Sequence, residues 1–345
     1  MKAIIETMST RSFWVAALFT LICAVAGTFL ATLPYLAVVG SLVISLLLGM
    51  VFQVWRTGIE AAESGIGFIS NKFLRLGIIL LGFKLNLVDL AAAGVKTITL
   101  AIFVVTGTII LTYWIARKMG VDPALSILTA SGTGICGAAA VMGISPQITV
   151  PEDQQQKKHE DEVLAVAVVA IMGTVFTLIE IGLKPLLHMT PTQFGVMTGG
   201  TLHEIAHAVA AGGAGGPVSL DSAIITKLSR VLLLAPAAFI IGAWWQKQAK
   251  KNGTQTEANG KLPIPWFMAG FILASVIGTF VPLGATVLAW LVKLAYIFLG
   301  MAMAALGMSV NFKVIINRGA KPFGASAIAS TILLICVATA SKLFF

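Results

Sequence analysis

Residues 131–140 read SGTGICGAAA and lie in the middle of an apolar stretch, 122–145, that is long enough to cross a lipid bilayer. Gly132, Gly134 and Gly137 follow one another closely there, with hydroxyl side chains beside them. Because glycine is a poor helix former, the pattern favours an unwound stretch with free backbone groups at membrane depth. Close helix packing through small residues is the alternative that this segment alone leaves open.

The composition requires lipid around most of the chain. Of its 345 residues 58% are hydrophobic and 11% are charged, and the mean hydropathy is +0.96, which excludes a soluble globular protein. Apolar stretches of about 20 residues, the length of a membrane-spanning helix, recur along the sequence. They predict an all-α membrane protein that forms a single transmembrane domain over 1–345. The predicted spans, about eleven, lie at roughly 12–31, 34–52, 73–91, 97–116, 122–145, 163–183, 193–214, 222–246, 264–282, 285–310 and 322–341.

The distribution of basic residues predicts the orientation. The 23 Lys and Arg residues outnumber the 14 Asp and Glu residues, for a net charge of +9. In a membrane protein such an excess marks cytoplasmic segments, so nucleic-acid binding is not expected. With the N-terminus inside, fifteen basic residues, Lys184 among them, fall in inner segments, and four fall outside: Lys96, Lys157, Lys158 and Lys342. We therefore expect an inner-membrane protein with a cytoplasmic N-terminus and a periplasmic C-terminus.

Two segments between the spans have distinct character, and one short sequence recurs. Residues 53–72 mix Glu and Lys with apolar side chains, which predicts an amphipathic segment at the interface. Residues 247–262 are hydrophilic and predict a flexible cytoplasmic linker. Residues 81–87, LGFKLNL, resemble residues 306–312, LGMSVNF. Because these copies run in opposite directions in the predicted topology, they indicate an inverted repeat.

Polar side chains at membrane depth are costly, so those present carry the functional information. Lys227 and Arg230 are three residues apart and share one face of a helix. They either extend to the outer headgroups or form a buried pair or network, for which Glu204 offers a partner; we favour the buried network. The other intramembrane candidates are Lys84, Asn86 and Asn311.

Residues 203–207 read HEIAH, the pattern of zinc peptidases, in which two imidazoles one turn apart bind the metal. An intramembrane metallopeptidase is therefore an alternative reading, although it needs a third ligand that no recognisable motif supplies. A carboxylate beside an imidazole can also titrate near neutral pH, which makes His203 and Glu204 candidates for proton coupling.

Several sequence blocks resemble the YeiH-like family of sulfate exporters. They include residues 74–85 (LRLGIILLGFKL), 134–140 (GICGAAA), 227–231 (KLSRV), 264–267 (IPWF) and 302–308 (AMAALGM). The resemblance implies a multi-pass protein of the bacterial inner membrane with inverted repeats and crossed, broken helices, and sulfate or a related sulfur oxyanion as substrate. Where this chain has His207 we expect the family to carry Gln, which cannot bind zinc as an imidazole does.

The working hypothesis is a secondary transporter of a small anion, not an enzyme, with the lipid bilayer and coupling protons as further partners. Neither a metal nor another cofactor is expected, and homo-oligomerisation is left open. The anion would lie against the amide end of the broken helix, with positive charge and amide hydrogen bonds around it. The substrate-binding candidates are Lys84, Asn86, Thr133, Gly134, Cys136, Gly137, Lys227, Arg230 and Asn311.

Overall fold

The structure is a computed structural model that describes residues 7, 10–33, 36, 41–52, 56–84, 87–88, 94–251, 266–308 and 317–345. Within these ranges the regular secondary structure is entirely helical. The α-helices are α1 (Arg11–Leu30), α2 (Ser41–Phe52), α3 (Arg56–Leu81), α4 (Gly94–Lys118), α5 (Pro123–Gly134), α6 (Ala138–Ile144), α7 (Gln155–Leu187), α8 (Pro191–Thr201), α9 (Ile205–Ala214), α10 (Pro217–Leu232), α11 (Leu234–Lys251), α12 (Trp266–Phe280), α13 (Ala285–Met308) and α14 (Ala320–Phe344).

The expected all-α membrane architecture with broken helices is confirmed. Among the described residues, seven helical stretches are long and apolar enough to cross a bilayer, fewer than the eleven predicted. They are Arg11–Leu30, Ala62–Lys84, Gly94–Lys118, Glu152–Leu187, Pro217–Gln248, Ala285–Ala305 and Ala320–Phe344.

The chain divides into two compact units. The first comprises Met1–Val88 and Phe267–Val310, and its core joins α1, α3 and α13. Helix α3 continues without interruption through residues 56–81, so no break separates the predicted interfacial segment from the third predicted span. Lys84 ends a short 3-10 turn after α3. The predicted linker begins within α11, and its residues 252–262 lie outside the described ranges.

The second unit, Asp89–Trp266 and Asn311–Phe345, contains a helical hairpin around the glycine-rich stretch. Helix α5 ends at Gly134, the chain turns through residues 135–137, and α6 packs back on α5, with Val141 over Gly132. At its far end Ser145 donates to Glu162 of α7, while Asp122, just before α5, pairs with Lys157 of α7 at 3.0 Å. This first hairpin therefore enters and leaves at the same end of the second unit, which we call the Asp122 end.

A second hairpin is built from α8, a tip at residues 202–204, and α9. Gly195 near the start of α8 and Gly215 after α9 both lie against Ser219 of α10. Lys184, near the end of α7, donates to the carbonyl of Ala214. Both arms of this hairpin thus start from the end of the second unit opposite to Asp122, which we call the Lys184 end.

The long helices α7 and α14 connect these two ends. Helix α14 follows Arg318, which bonds Asp161 at 2.6 Å at the Asp122 end, and it reaches Ser341, which donates to the Gln193 carbonyl at the Lys184 end. Its 25 residues rise about 37 Å, enough for a bilayer. The two hairpins therefore enter the second unit from opposite ends and meet at their tips.

This arrangement corrects the predicted topology. The stretches 122–145 and 193–214 were expected to cross the membrane, yet each turns back at its tip. Consequently Lys157 and Lys158, which were predicted to lie on the outer side, share the Asp122 end with Arg117, and Lys184 lies at the other end. The error arose because a hairpin of two half-length helices has the same apolar length as one full span.

Charged side chains fix the first hairpin to its surroundings at the Asp122 end. Arg318 contacts Asp122 at 3.1 Å and Glu160 at 3.8 Å in addition to Asp161. Burial alone would raise the pKa of Asp122, but Lys157 and Arg318 outweigh it and hold that pKa below the ordinary value of 3.8. The contribution of Asp122 to stability is therefore present above that ordinary value and is lost as the pH falls through the lowered one.

The hairpin topology predicts which positions share one side of the membrane. In a cysteine-free background, Lys118→Cys and Gln154→Cys should react with a membrane-impermeant maleimide from the same side, because the chain between them turns back. Thr190→Cys should react only from the other side. Labelling in right-side-out and inside-out vesicles measures this, and modification of the first two cysteines from opposite sides would show that residues 122–145 cross the membrane.

Candidate functional site

Helix α10 places two cations between the hairpin tips. The side chains of Lys227 and Arg230 are fully buried in the second unit, so the expected buried arrangement is confirmed against the alternative in which they extend to headgroups. The expected ionic partner differs, however. Among the described residues the ion pairs lie at the Asp122 end, and neither cation forms one with Glu204.

Lys227 uses backbone carbonyls as its partners. Its Nζ donates to the oxygens of Ile135, Leu202 and His203 at 2.7, 2.6 and 2.7 Å. The first of these carbonyls belongs to the tip of the first hairpin and the other two to the tip of the second. An ammonium group has three hydrogens, so its donor capacity is used in joining the two tips.

Arg230 joins the same two tips through a wider set of carbonyls. From the first hairpin, Nε and Nη2 donate to Gly134 at 3.2 and 2.7 Å, and Nη2 also donates to Thr133 at 3.2 Å. From the second, Nη1 donates to Gly200 at 2.8 Å and to Leu202 at 3.0 Å, with a longer contact to Gly199. Each guanidinium nitrogen therefore has a carbonyl partner.

These bonds answer a requirement of the broken helices themselves. The last carbonyls of a helix have no partner within it and form the negative end of the helix dipole. In the first hairpin the carbonyls of Ser131 and Gly132 accept from Ile135 and Gly137, which leaves the following carbonyls to the two cations. The buried cations and the helix ends thus stabilise each other.

Glu204 lies at the positive end of the returning helix of the first hairpin. Gly137 has φ 71° and precedes α6; a Cβ placed on it would come within 2.5 Å of Cγ of Glu204. The amide of Ala138, the first residue of α6, faces the Glu204 carboxyl without reaching full hydrogen-bond geometry. Glycine therefore supplies both the left-handed turn and the space for the carboxyl group.

The two histidines contact different helices. Nε2 of His203 lies 3.2 Å from Oγ of Ser330 on α14, whereas Nε2 of His207 lies 3.3 Å from Oγ1 of Thr174 on α7. His203 and Glu204 belong to the nonhelical tip, so the continuous helix that the zinc pattern requires is interrupted there. In the described part of the chain no group of three metal-ligating side chains comes together. The geometry gives no support to the metallopeptidase reading.

One buried acid of the site was missed by sequence reasoning. Glu180 on α7 is fully buried, and its Oε1 accepts from the Thr201 hydroxyl at 2.6 Å, at the last residue of α8. Its second oxygen, Oε2, has no partner among the described residues. The signal was present in the sequence, since Glu180 stands within the apolar stretch 163–183, but the predicted span boundaries placed it close to a cytoplasmic end.

The structure brings most of the predicted site residues together. Thr133 contacts Ser326 of α14 at 3.0 Å, and Cys136 is a buried free thiol at the first tip. The residues gathered around the tips are Thr133, Gly134, Cys136, Gly137, His203, Glu204, Lys227 and Arg230. Lys84 belongs to the first unit and is half-buried there. Asn86 and Asn311 lie outside the described residues.

Removing the guanidinium should destabilise the protein strongly. Arg230→Met leaves several buried carbonyls without donors, each costing about 1–3 kcal/mol, so we expect a clear drop in the melting temperature in detergent. Lys293→Met is the control, because that side chain is exposed and only stacks over Trp290. Equal melting temperatures for the wild type and Arg230→Met would refute the joining role of Arg230.

A side chain at Gly137 should disturb the first tip specifically. Gly137→Ala forces a Cβ into the left-handed region and against Glu204, at an expected cost of about 1–3 kcal/mol. Gly213→Ala is the matched control, since a Cβ there meets no atom within 4 Å. Thermal unfolding compares the two. A Gly137→Ala protein as stable as Gly213→Ala would contradict the described tip.

Comparisons with known proteins place the chain in a family. The family model described as Conserved hypothetical protein 698 matches residues 16–326. A UPF0324 membrane protein of Lactobacillus johnsonii is 61% identical over 344 residues, covering 99% of this chain and 100% of that protein. A UPF0324 membrane protein of Bifidobacterium longum is 52% identical over 335 residues, 94% of each chain. No solved structure matches.

A further relative, from Bacillus cereus, is also named a UPF0324 membrane protein and is 44% identical over 317 residues, 91% of this chain and 90% of its own. These names agree with the long apolar helices of the structure. The resemblance on which the sequence interpretation drew is thereby confirmed at the level of the family. The chain is a multi-pass membrane protein that belongs to the family described as conserved hypothetical protein 698, the UPF0324 membrane proteins.

Proposed function

We propose that the protein is a secondary transporter of a small anion, with no catalytic role, in the bacterial inner membrane. The observation that carries this proposal is the meeting of two oppositely directed hairpin tips at the buried Lys227 and Arg230. Nonhelical backbone and ionisable groups at membrane depth are expensive, and they mark substrate and ion sites in transporters built from broken helices. Re-entrant hairpins also offer elements that can move without displacing a full span.

When the buried acids Glu180 and Glu204 are protonated, the charge of the site favours an anion. Two fixed cations lie in the second unit without an ion-pair partner among the described residues, and their hydrogen bonds go to carbonyls at the negative helix ends. Because their hydrogens are used on carbonyls, the cations would attract the substrate by charge and not by direct hydrogen bonds. Sulfate or a related sulfur oxyanion is the substrate class that the family resemblance suggests.

Protons are the proposed coupling ion. Glu204 faces the amide end of α6, which is where an incoming anion would be stabilised, so the carboxylate and the substrate compete for the same positive region. Protonation of Glu204 removes that competitor. His203, adjacent in the tip and bonded through Nε2 to Ser330, is placed to pass the proton.

The orientation follows from the basic residues of the second unit. Among the residues whose side chains the structure describes, seven stand at the Asp122 end, and three stand at the Lys184 end: Lys96, Lys184 and Lys342. The seven are Arg117, Lys118, Lys157, Lys158, Lys247, Arg318 and Lys321. By the positive-inside rule we assign the Asp122 end to the cytoplasm. The first hairpin would then open from the cytoplasm and the second from the periplasm.

Transport by purified protein in liposomes tests the proposal. Labelled sulfate, sulfite and thiosulfate are offered with a pH gradient imposed in either direction, and we expect accumulation of at least one anion toward the alkaline side. Glu204→Gln should weaken the response to the pH gradient while anion exchange persists, because the amide mimics a permanently protonated acid.

The control variant is Glu152→Gln, which alters an exposed glutamate outside the site and should behave as wild type. The absence of accumulation and exchange for all three anions would refute the sulfur-oxyanion assignment. A pH response in Glu204→Gln as large as that of the wild type would refute the coupling role of Glu204.

A further inference from the structure

We infer that Glu180, like Glu204, binds a proton in the transport site, and that the anion accepts hydrogen bonds from the protonated carboxyl groups of both residues. This inference rests on the proposed function and adds to it how protons and substrate are linked. Glu180 approaches the second tip from α7 through Thr201, the last residue of α8, whereas Glu204 lies within that tip. Both acids are therefore located at the second tip.

Lys227 and Arg230 use their hydrogens on backbone carbonyls. Lys227 has three ammonium hydrogens and three carbonyl partners within 2.7 Å. Arg230 distributes its donors over six carbonyl contacts, at least one for each nitrogen. An anion bound near these side chains gains their charge but needs hydrogen-bond donors from other groups.

Around the second tip, the unpartnered buried atoms include those of groups that can take up protons. Within the described chain, Oε2 of Glu180, both carboxyl oxygens of Glu204 and Nδ1 of His203 have no hydrogen-bond partner. Ionised carboxylates only accept hydrogen bonds, whereas a protonated carboxyl group donates one. Buried polar atoms without partners are uncommon in folded proteins, and a functional role or a bound ion or water is the usual explanation. An anion would find donors here only after protons arrive.

The charges of the two cations and the two acids balance each other. Lys227 and Arg230 carry two positive charges, and Glu180 and Glu204 in their ionised forms carry two negative charges, so the empty site is neutral when both acids are ionised. A net charge in a buried site is costly. Each negative charge on an entering anion is therefore matched by one proton on these acids. With two acids the site takes a monovalent anion with one proton or a divalent oxyanion with two.

Other charged and titratable groups lie on the helices and tips around Glu180. Lys227 and Arg230 of α10 lie within electrostatic range of its carboxyl group. Lys184, one turn along α7, is bonded to Ala214. The other buried titratable groups of the neighbouring elements are Cys136 at the first tip, His203 and Glu204 at the second tip, and His207 on α9.

Infrared spectroscopy tests the protonation of Glu180 without requiring transport. A buried protonated carboxyl group gives a C=O band distinct from that of a carboxylate. On titration of purified protein, Glu180→Gln should remove one such band, while Glu152→Gln, at an exposed position, should leave the buried bands unchanged. Thr201→Val, which removes the hydroxyl donor to Glu180, should shift the pH at which the band appears. Unchanged buried bands in both site variants would overturn the assignment.

Proton uptake on anion addition tests the linkage. When sulfate is added to wild-type protein in weakly buffered solution, we expect about two protons to be taken up per sulfate bound, and about one in Glu180→Gln. Glu180→Asp, which keeps an acid, should retain the wild-type number and serves as the folding-competent variant if the amide form is unstable.

An unchanged proton number in Glu180→Gln refutes this inference but leaves anion transport standing. Absence of sulfate binding by the wild type, with the infrared band present, refutes the proposed substrate and not the protonation of Glu180.

Discussion

The donation of hydrogen bonds from Lys227 and Arg230 to the carbonyl ends of α5 and α8 is the interaction on which the second unit depends. Neither partner is stable alone at membrane depth, because buried charges and unpaired carbonyls both carry large costs. Together they form a joint in which two helix ends, from hairpins entering at opposite ends, share two cations. The apolar stretches of the sequence are long enough to form the hairpins, and the hydrogen bonds of the two cations hold the hairpin tips together.

The joint also determines which groups remain for function. The hydrogens of the cations are used on backbone carbonyls. The side-chain atoms at the tips that have no hydrogen-bond partner among the described residues belong to Glu180, Glu204 and His203, which can take up protons. In the proposed transport site, fixed positive charge and donors that depend on protonation would couple the binding of anion and protons. The family relationship is established by sequence, and the named relatives are described only as membrane proteins. The transport proposal therefore depends on these contacts.

Some of this could be predicted from sequence and some could not. The break at residues 131–140 was predictable because glycine disfavours helix, and the burial of Lys227 and Arg230 from the cost of charge in lipid. The reversal of the chain at residues 135–137 was not predictable, because hydropathy gives the length of an apolar stretch and not the direction of the chain within it. The same error placed Lys157 and Lys184 on the wrong sides. Glu180 was overlooked because the predicted span boundaries placed it close to a cytoplasmic end, although its side chain is buried and bonded to Thr201.

Hydrogen exchange at the two tips tests the central claim most directly. Mass spectrometry would compare the amides of residues 135–140 and 202–207 in the wild type and in Lys227→Met, reconstituted in lipid nanodiscs. Because one ammonium group bonds carbonyls of both tips, protection should fall in both segments together, with little change in α14. Loss of protection in only one tip, or in neither, would contradict the account that these cations join the two hairpins.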